Sequence, residues 1–383
     1  MKILFLVYHG FSEHSGITKK IHYQVKGLRE NGHEVHLCYY DFSSEGHRCR
    51  YVNGELLKDY GTGLLAALRQ RFSYGCIVDY CREHDVEFVY ARSFQNAQPF
   101  LVHFFRRLRR LGIKCVTEIP TYPYDQEFVY FPWKVRAGLL VDKLFRRQLA
   151  CQMEAIVTFS DAEQIFGQRT IRISNGVDFD SIPLHQYQPP HDGTIHLIGV
   201  AEVHLWHGYD RLIRGLGEYF RHASQPASVY FHIVGGVCTE DMEVGNDYYP
   251  SYRSMIEQYG LQDRVIFHGQ LFGDALDQVF NQCCFAIGSL ARHRSGITVI
   301  KTLKNREYAT RGIPFIYSEQ DSDFDHQPYV LKATSDESPI AIQEILNFIY
   351  LHHFNPAAIR RTVEHLSWKK QMQQVIDQVY SES

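Results

Sequence analysis

The sequence predicts an α/β protein with two Rossmann-like, doubly wound domains, each a parallel sheet that carries helices on both faces. Short apolar runs alternate with helical patterns in both halves of the chain, as repeated βαβ units require. The length of 383 residues suits two domains better than one. Residues 171–193 hold several prolines and glycines and interrupt the alternation. We therefore expect an N-terminal domain over residues 1–185 and a C-terminal domain over residues 186–365.

The first domain is predicted to begin with a buried strand over residues 3–7, because this run is apolar throughout. A helical pattern follows over residues 17–31 and stops at Asn31-Gly32, a pair that favours helix ends. The remaining strands of this domain are predicted at residues 34–40, 88–91, 114–119 and 155–159. Its remaining helices are predicted at residues 63–84, 98–111 and 137–151.

The second domain repeats the alternation from Thr194 onward. Its strands are predicted at residues 195–200, 229–234, 264–268, 285–290 and 313–317. Helices are predicted at residues 209–220, 252–259, 274–282 and 297–310, and a last one at 369–380. Doubly wound sheets bind ligands at the carboxyl ends of their strands, so we expect the two domains to face one cleft.

Composition and charge exclude several classes of protein. Lysine and arginine total 40 against 43 aspartate and glutamate, so the chain lacks the basic excess of a nucleic-acid-binding protein. Nine cysteines without a Cys-x-x-Cys pair indicate free thiols in a reducing compartment. The first apolar run is too short for a signal peptide, and no run of about 18 apolar residues predicts a membrane span. A cytoplasmic location is expected.

A basic loop follows the predicted strand 285–290 and therefore lies at the carboxyl edge of the second sheet. The loop and the predicted start of the next helix consist of Arg292, His293, Arg294, Ser295, Gly296 and Ile297. The amino end of a helix offers unpaired N–H groups and partial positive charge, and glycine lets a phosphate approach the backbone. The sequence therefore predicts an anion site here, with a solvated surface loop as the alternative.

The helix after this loop carries Lys304 and Glu307 on one face, because they are three residues apart. Tyr308, Gly312 and Pro314 complete the pattern Lys-x-x-Glu-Tyr-x-x-x-Gly-x-Pro. This pattern resembles the donor-nucleotide helix of glycosyltransferases with the GT-B fold, in particular the family 4 type of bacterial polysaccharide synthesis. The resemblance implies that Glu307 holds the ribose hydroxyls of a nucleotide sugar. An ordinary surface ion pair with Lys304 is the alternative.

The resemblance departs from the family at one position. The family has a second glutamate with seven residues between the two, and Val299 stands at that place in this chain. In the family this earlier glutamate contacts the sugar ring. Its role is therefore expected to pass to the loop 292–296 or to be missing, which leaves the identity of the sugar open.

Two further segments match the family in order and spacing. The segment 199–210 resembles the loop after the first strand of the donor domain, where His207 stands in place of the usual lysine and could donate to a phosphate. Arg211 on the next helix is a second phosphate candidate, and a structural role is the alternative for both residues. Ser367-Trp368 resembles the start of a helix, 366–383, that crosses back onto the N-terminal domain.

The first domain supplies weaker candidates. Ser15-Gly16 opens the first helix and resembles the glycine loop that lies beside the donor phosphate in the family, with a simple capped turn as the alternative. Glu118 lies at the carboxyl end of a predicted strand and is a candidate for contact with the reacting sugar or the acceptor, with a structural carboxylate as the alternative. Arg92-Ser93 also follows a strand.

The resemblance implies a retaining, metal-independent glycosyltransferase that uses a UDP- or GDP-linked sugar and a saccharide or lipid-linked acceptor. Glu118, His293 and Arg294 are the predicted catalytic residues, and no cofactor or metal site is expected, because the His204-x-x-His207 pair lacks a second half at ligand spacing. A non-catalytic nucleotide-sugar-binding protein and a nucleotide-sugar epimerase remain alternatives. Residues 101–150 hold an excess of basic residues, which indicates either contact with the inner face of a membrane or a solvated helix face.

Overall fold

The computed structural model describes residues 1–12, 16–93, 95–125, 133–186, 193–236 and 252–381. The chain divides into two compact units, one formed by Met1–Gly176 with Leu366–Ser383 and the other by Val177–His365. The first unit therefore ends nine residues before the predicted position of 185. Gly176 packs so closely on Trp368 that an added Cβ would lie 2.4 Å from the indole ring, so the last residue of the first segment contacts the C-terminal segment of the same unit.

The first unit contains a sheet in the order β4-β3-β2-β1-β5-β6-β7-β9-β8. Its strands are β1 (Lys2–Leu6), β2 (Glu34–Phe42), β3 (Arg48–Val52), β4 (Glu55–Asp59), β5 (Phe88–Arg92), β6 (Lys114–Ile119), β7 (Ala155–Thr158), β8 (Gln164–Ile165) and β9 (Gln168–Arg172). The central pairs are parallel, whereas β2-β3, β3-β4 and β8-β9 are antiparallel. Its helices are α1 (Gly16–Glu30), α2 (Gly63–Phe72), α3 (Gly75–Glu83), α4 (Pro99–Arg110) and α5 (Trp133–Ala150).

The hairpin β3-β4 was not predicted, although the sequence carries its signal. Asn53-Gly54 joins the two strands, with φ angles of 52° and 91°. A two-residue turn of this kind matches the twist of the flanking strands, and Asn-Gly is its preferred sequence. The strands themselves are hard to recognise because charged residues interrupt their apolar pattern.

The second unit contains a parallel sheet in the order β12-β11-β10-β13-β14-β15. The strands are β10 (Ile195–Val200), β11 (Val229–Val234), β12 (Val265–Gly269), β13 (Phe285–Ile287), β14 (Phe315–Tyr317) and β15 (Val330–Lys332). The helices are α6 (Tyr209–His222), α7 (Tyr252–Tyr259), α8 (Gly273–Gln282), α9 (Leu303–Arg311), α10 (Ile342–Leu351) and α11 (Pro356–Thr362). The strand order reverses between β10 and β13, the position where doubly wound sheets form a ligand-binding crevice.

The predicted helix 297–310 begins six residues later than expected, at Leu303. The segment before it is extended, and Val299 forms a parallel bridge with Gln320. Four consecutive β-branched residues, Ile297 to Ile300, explain the difference, because such side chains favour extended backbone over helix. The basic loop 292–296 consequently leads into an extended segment, and the amino end of the helix lies at Thr302 and Leu303.

The core of the first unit shows why its strands are apolar throughout. Along β1, Ile3 and Phe5 pack into a cluster with residues of α1 and α12 (Trp368–Tyr380), whereas Leu4 and Leu6 pack into a second cluster with residues of α3 and α4. The strand is therefore buried on both faces, which is typical of a parallel sheet covered by two helical layers.

The final helix α12 returns to the first unit and packs against α1. The contact is close because α1 carries Gly27, where an added Cβ would lie 2.7 Å from the backbone carbon of Trp368. Ser367 caps the helix by accepting a hydrogen bond from the N–H of Lys370 at 3.3 Å. The predicted return of the C-terminal segment to the N-terminal unit agrees with this division of the chain.

Replacement of Gly27 by alanine tests this packing. We expect Gly27→Ala to lower the free energy of unfolding by about 1–3 kcal/mol, because the methyl group forces the backbones of α1 and α12 apart. The matched control is Gly138→Ala in α5, where an added Cβ meets nothing within 4 Å and higher helix propensity makes the change neutral or stabilising. Thermal melts that show equal effects for the two variants would contradict the packing described for α12.

Candidate functional site

The candidate site lies at the carboxyl edge of the second sheet, beside the point where its strand order reverses. Ser289 follows β13, Glu319 follows β14, and the loop after β10 forms a short 3₁₀ helix, Leu205–His207. The backbone N–H of Leu290 donates to the carbonyl of His207 at 2.9 Å, which joins the loops after β10 and β13. The polar ends of three adjacent strands therefore meet at one place.

Helix α9 is fixed in this crevice by Tyr308. Its buried hydroxyl accepts a hydrogen bond from the N–H of Val200 and donates one to the carbonyl of Ile287, each at 3.1 Å. The hydroxyl thus bridges the ends of β10 and β13. Gly288 allows the helix to come close, because an added Cβ would lie 3.0 Å from Oδ1 of Asn305. The first turn of α9 is therefore held against the strand ends.

The amino end of α9 lacks a side-chain cap. Thr302 occupies the cap position but makes no capping hydrogen bond, and its buried hydroxyl has no hydrogen-bond partner among the described residues. The buried ammonium nitrogen of Lys304 also has no hydrogen-bond partner among them. Unpaired N–H groups, a helix dipole and a cation together form an environment that favours an anion.

Lys304 is buried near one positive and one negative side chain, those of Arg292 and Glu319. Burial lowers the pKa of Lys304 well below that of an exposed lysine, and the nearby guanidinium of Arg292 lowers it further. Burial raises the pKa of Glu319, whose Oε1 accepts a long hydrogen bond of 3.4 Å from Asn305. Buried polar groups are normally satisfied, so unsatisfied groups at a strand edge indicate a site for a polar ligand.

His207 faces the same cluster as a neutral imidazole. Its Nδ1 accepts a hydrogen bond of 2.8 Å from the backbone N–H of His204, which places the ring proton on Nε2. Burial lowers the pKa of His207, and the positive charges of Lys304 and Arg292 lower it further. His207 is therefore a hydrogen-bond donor that carries no charge at neutral pH.

The predicted catalytic pair His293 and Arg294 lies in the same loop, but Arg294 is held by other side chains. The guanidinium of Arg294 bonds both carboxylate oxygens of Asp210 at 2.8 Å and also bonds Glu337. Nε2 of His293 also forms a hydrogen bond of 2.7 Å with Oε1 of Glu337. Hydrogen bonds from Arg294 hold the pKa of Glu337 at about 2. These contacts fix the shape of the loop.

The remaining loop residues complete this turn. The hydroxyl of Ser295 donates to the carbonyl of Arg292 at 2.8 Å. Gly296 adopts a left-handed conformation with φ of 69°, and Ile297 begins the extended segment. The loop therefore closes on itself before the chain reaches α9.

Arg211, predicted as a phosphate ligand, is buried among backbone carbonyls. Its guanidinium donates to the carbonyls of Thr334 at 2.9 Å and Ser338 at 2.7 Å, and to that of Leu290. A further contact of 3.3 Å joins it to Asp336. These bonds fasten α6 to the loops after β13 and β15.

Glu307, predicted to hold a ribose, lies one turn beyond Lys304 and is partly exposed. Its Oε1 accepts bonds from Nε and Nη2 of Arg311 at 3.1 Å and 3.0 Å, and Arg311 also pairs with Asp277 at 2.7 Å. The ion pair of Glu307 is therefore with Arg311, in place of the alternative pair with Lys304. Both bonds go to the same carboxylate oxygen.

Glu118 lies at the carboxyl edge of the first sheet and is fully buried. It accepts hydrogen bonds of 2.6 Å from Tyr90 and Gln24, contacts Arg92, and lies 3.3 Å from Lys20. Although burial would raise the pKa of Glu118, the charges of Lys20 and Arg92 together with these hydrogen bonds hold it at about 2. Glu118 is thus an ionised carboxylate that orients two cations.

Of the predicted pair at the first helix, Ser15 lies outside the described residues. Gly16 begins α1, and an added Cβ there would meet no atom of the described residues within 4 Å. Among those residues there is therefore no close packing that requires glycine at this position.

Sequence reasoning missed Thr302, Asn305 and Glu319. Thr302 was assigned to the middle of a helix, because that helix was predicted to begin too early. Glu319 lies two residues after β14, so the rule that polar groups at strand ends form the site would have found it. Asn305 lies on α9 between Lys304 and Glu307 and carries no distinguishing sequence pattern.

Two features that bear on function are absent from the described residues. No group of three or more His, Cys, Asp or Glu side chains is arranged to hold a metal ion in the part of the chain that the structure describes. Among the described helices, none combines the length and the apolar character that a membrane span needs.

Known proteins were compared with the chain by sequence and by structure. No protein-family model matches it, and no curated protein matches its sequence. The catalytic domain of starch synthase IV from Arabidopsis thaliana, bound to ADP and acarbose, matches its structure with a TM-score of 0.58 at 12% identity. That match covers 100% of this chain and 98% of the other. The chain has the GT-B fold.

Two further proteins with the GT-B fold match the chain over nearly its whole length. A trehalose-6-phosphate synthase matches with a TM-score of 0.58 and 11% identity, covering 99% of each chain. AviGT4, a glycosyltransferase involved in avilamycin A biosynthesis, matches with a TM-score of 0.55 and 14% identity, covering 99% of this chain and 96% of the other. The fold expected from the donor-helix pattern is therefore confirmed.

Proposed function

We propose that the protein is a glycosyltransferase that binds a UDP- or GDP-linked sugar at the carboxyl edge of the second sheet. The observation that carries the proposal is the uncapped amino end of α9, where Thr302 and Lys304 hold buried polar atoms with no hydrogen-bond partner among the described residues. A diphosphate supplies the acceptor oxygens and the negative charge that such a site lacks.

Proteins with the same fold support this choice of ligand. An α-glucosyltransferase in complex with UDP matches the chain with a TM-score of 0.52, and the matched starch synthase is bound to ADP. In this chain, Lys304 has a long, flexible side chain that can turn toward a diphosphate by a change of rotamer.

The same groups suit the transfer step. When the bond between the sugar and the diphosphate breaks, negative charge develops on the departing phosphate oxygen. The amino end of α9, the ammonium of Lys304 and the Nε2–H of His207 are positioned to stabilise that charge without a metal ion. His293 and Arg294 act by holding the loop in shape through Glu337. We infer retention of the anomeric configuration from the family resemblance and assign no nucleophile.

Glu307 is proposed to bind the ribose of the nucleotide. The ion pair with Arg311 orients the carboxylate through Oε1, and Oε2 is then the oxygen offered to the ribose hydroxyls. A carboxylate accepts hydrogen bonds from two adjacent hydroxyls more strongly than a neutral group does. Glu307 lies one helical turn from Lys304, so the two side chains leave α9 on the same face.

The acceptor is proposed to be a saccharide or a lipid-linked saccharide, bound by the first unit in polysaccharide synthesis. Contact with the inner face of a membrane is proposed for α5, where Leu140 and Leu144 are exposed beside Lys143 and Arg147. Helix α4 is less suitable, because the apolar residues that alternate with its arginines are buried.

A ligand panel tests the donor site. We expect UDP or GDP, and the sugars linked to one of them, to raise the melting temperature of the protein, since a ligand that binds the folded state stabilises it. The panel consists of UDP, GDP and ADP with UDP-glucose, UDP-galactose, UDP-N-acetylglucosamine, GDP-mannose and ADP-glucose. Lys304→Met is expected to weaken binding of the nucleoside diphosphate about 10- to 100-fold, the effect of a lost charged hydrogen bond.

The matched control for this substitution is Lys370→Met on the exposed face of α12. It should bind like the wild-type protein. Binding by wild type and Lys304→Met with equal affinity would show that α9 is not the diphosphate site. Turnover of the bound donor then separates the three possible functions. A transferase moves the sugar to an acceptor, an epimerase isomerises the donor without an acceptor, and a non-catalytic protein binds the donor without turnover. The non-catalytic alternative is suggested by Val299, which replaces the family's first glutamate.

Glu307→Ala tests the ribose contact. We expect this variant to lose detectable nucleotide binding in calorimetry, while its melting temperature without ligand changes little because Glu307 is partly exposed. Glu344→Ala on α10, an exposed glutamate of the same unit, serves as the control. Unchanged affinity in Glu307→Ala would overturn the ribose role.

A further inference from the structure

The cluster around Lys304 contains two unsatisfied acceptors in addition to the donors of α9. Oε2 of Glu319 and Oδ1 of Asn305 are buried and have no hydrogen-bond partner among the described residues. Both side chains are almost completely inaccessible, at 1% and 0% of their surface. They are also joined to one another, through Nδ2 of Asn305 and Oε1 of Glu319. The two free oxygens are therefore parts of one local arrangement.

These two acceptors need a hydrogen-bond donor, which a phosphate group does not provide. A phosphate oxygen accepts hydrogen bonds and would repel a carboxylate, so it satisfies Lys304 and Thr302 but neither Glu319 nor Asn305. A hydroxyl donates one hydrogen bond, so two hydroxyls of one ligand would satisfy both acceptors. The cluster thus suits a ligand that carries hydroxyl groups directly beside an anion, and a glycosyl diphosphate has this composition.

Backbone contacts hold Glu319 at the carboxyl edge of the second sheet. Its backbone carbonyl accepts a bond from the ammonium of Lys332, and the next residue, Gln320, pairs with the extended segment through Val299. Val299 itself is 41% exposed and apolar, so it offers no acceptor to a sugar. Other charged groups around the carboxylate are Arg292, Lys304 and Asp321.

We propose that Glu319, positioned by Asn305, binds a hydroxyl group of the donor sugar and determines which sugar the enzyme accepts. This inference rests on the proposed function, because it needs a nucleotide sugar in the site. It adds a specificity residue that lies 12 positions after Glu307 in sequence, just beyond the end of β14 and outside helix α9. Burial, which raises the pKa of the Glu319 carboxyl, is relieved in part when a hydroxyl donates to it.

The test compares two affinities in Glu319→Gln, which preserves the volume and removes the charge. The probes are the nucleotide sugar that stabilises the wild type most in the panel above and the matching nucleoside diphosphate. We expect affinity for the nucleotide sugar to fall about 10- to 100-fold, because a charged hydrogen bond is lost. Affinity for the diphosphate should stay the same or rise, because the variant removes a negative charge that repels phosphate. Glu344→Gln is the matched control and should change neither affinity.

A second variant covers the case in which Glu319→Gln does not fold. Asn305→Ala removes the side chain that orients Glu319 and should weaken the nucleotide sugar selectively, by about 3- to 10-fold. Equal losses for sugar nucleotide and diphosphate, or no loss of either, would overturn the role of Glu319 while the proposed function stands. Failure of the wild type to bind any nucleotide or nucleotide sugar would overturn both.

Discussion

The candidate site depends on one buried cation, the ammonium of Lys304 at the uncapped end of α9, which has no hydrogen-bond partner among the described residues. A buried ion without a partner costs free energy, and a fold tolerates it only where other contacts hold the surrounding elements in place. Here Tyr308 ties α9 to two strands, and Arg306 pairs with Asp321 at 2.6 Å on the opposite side. The helix is thus anchored by contacts that leave its amino end unsatisfied.

The arginines near the site differ from Lys304 in that their guanidinium groups are already paired. Arg294 and Arg211 lie close to the site in sequence and space, but their guanidinium groups are saturated by Asp210, Glu337 and backbone carbonyls. They stiffen the loops that carry the site. The unsatisfied groups belong to shorter or more flexible side chains, Lys304, Thr302 and Glu319. A ligand site made in this way is preorganised by its surroundings and completed by its ligand.

Much of the fold could be predicted from sequence, because buried parallel strands are continuous apolar runs. The strand β10 and the helix α7 were predicted with the bounds that the structure shows. The start of α9 was predicted wrongly, because a helical pattern was extended through the β-branched residues 297–300. The partners of Arg294 could not be predicted, since Glu337 lies 43 residues away in the chain. Residue type indicated an anion site, but only the fold shows which cations are already paired.

The central claim is that Lys304 is a buried ammonium with a depressed pKa that an anion completes. Calorimetry of UDP or GDP binding at pH 8, in two buffers that differ in ionisation enthalpy, measures this directly. An anion beside Lys304 raises its pKa, so the account predicts uptake of protons on binding and loss of that uptake in Lys304→Met. An exposed lysine is already charged at pH 8 and takes up nothing. Binding of the nucleotide without proton uptake would contradict the account.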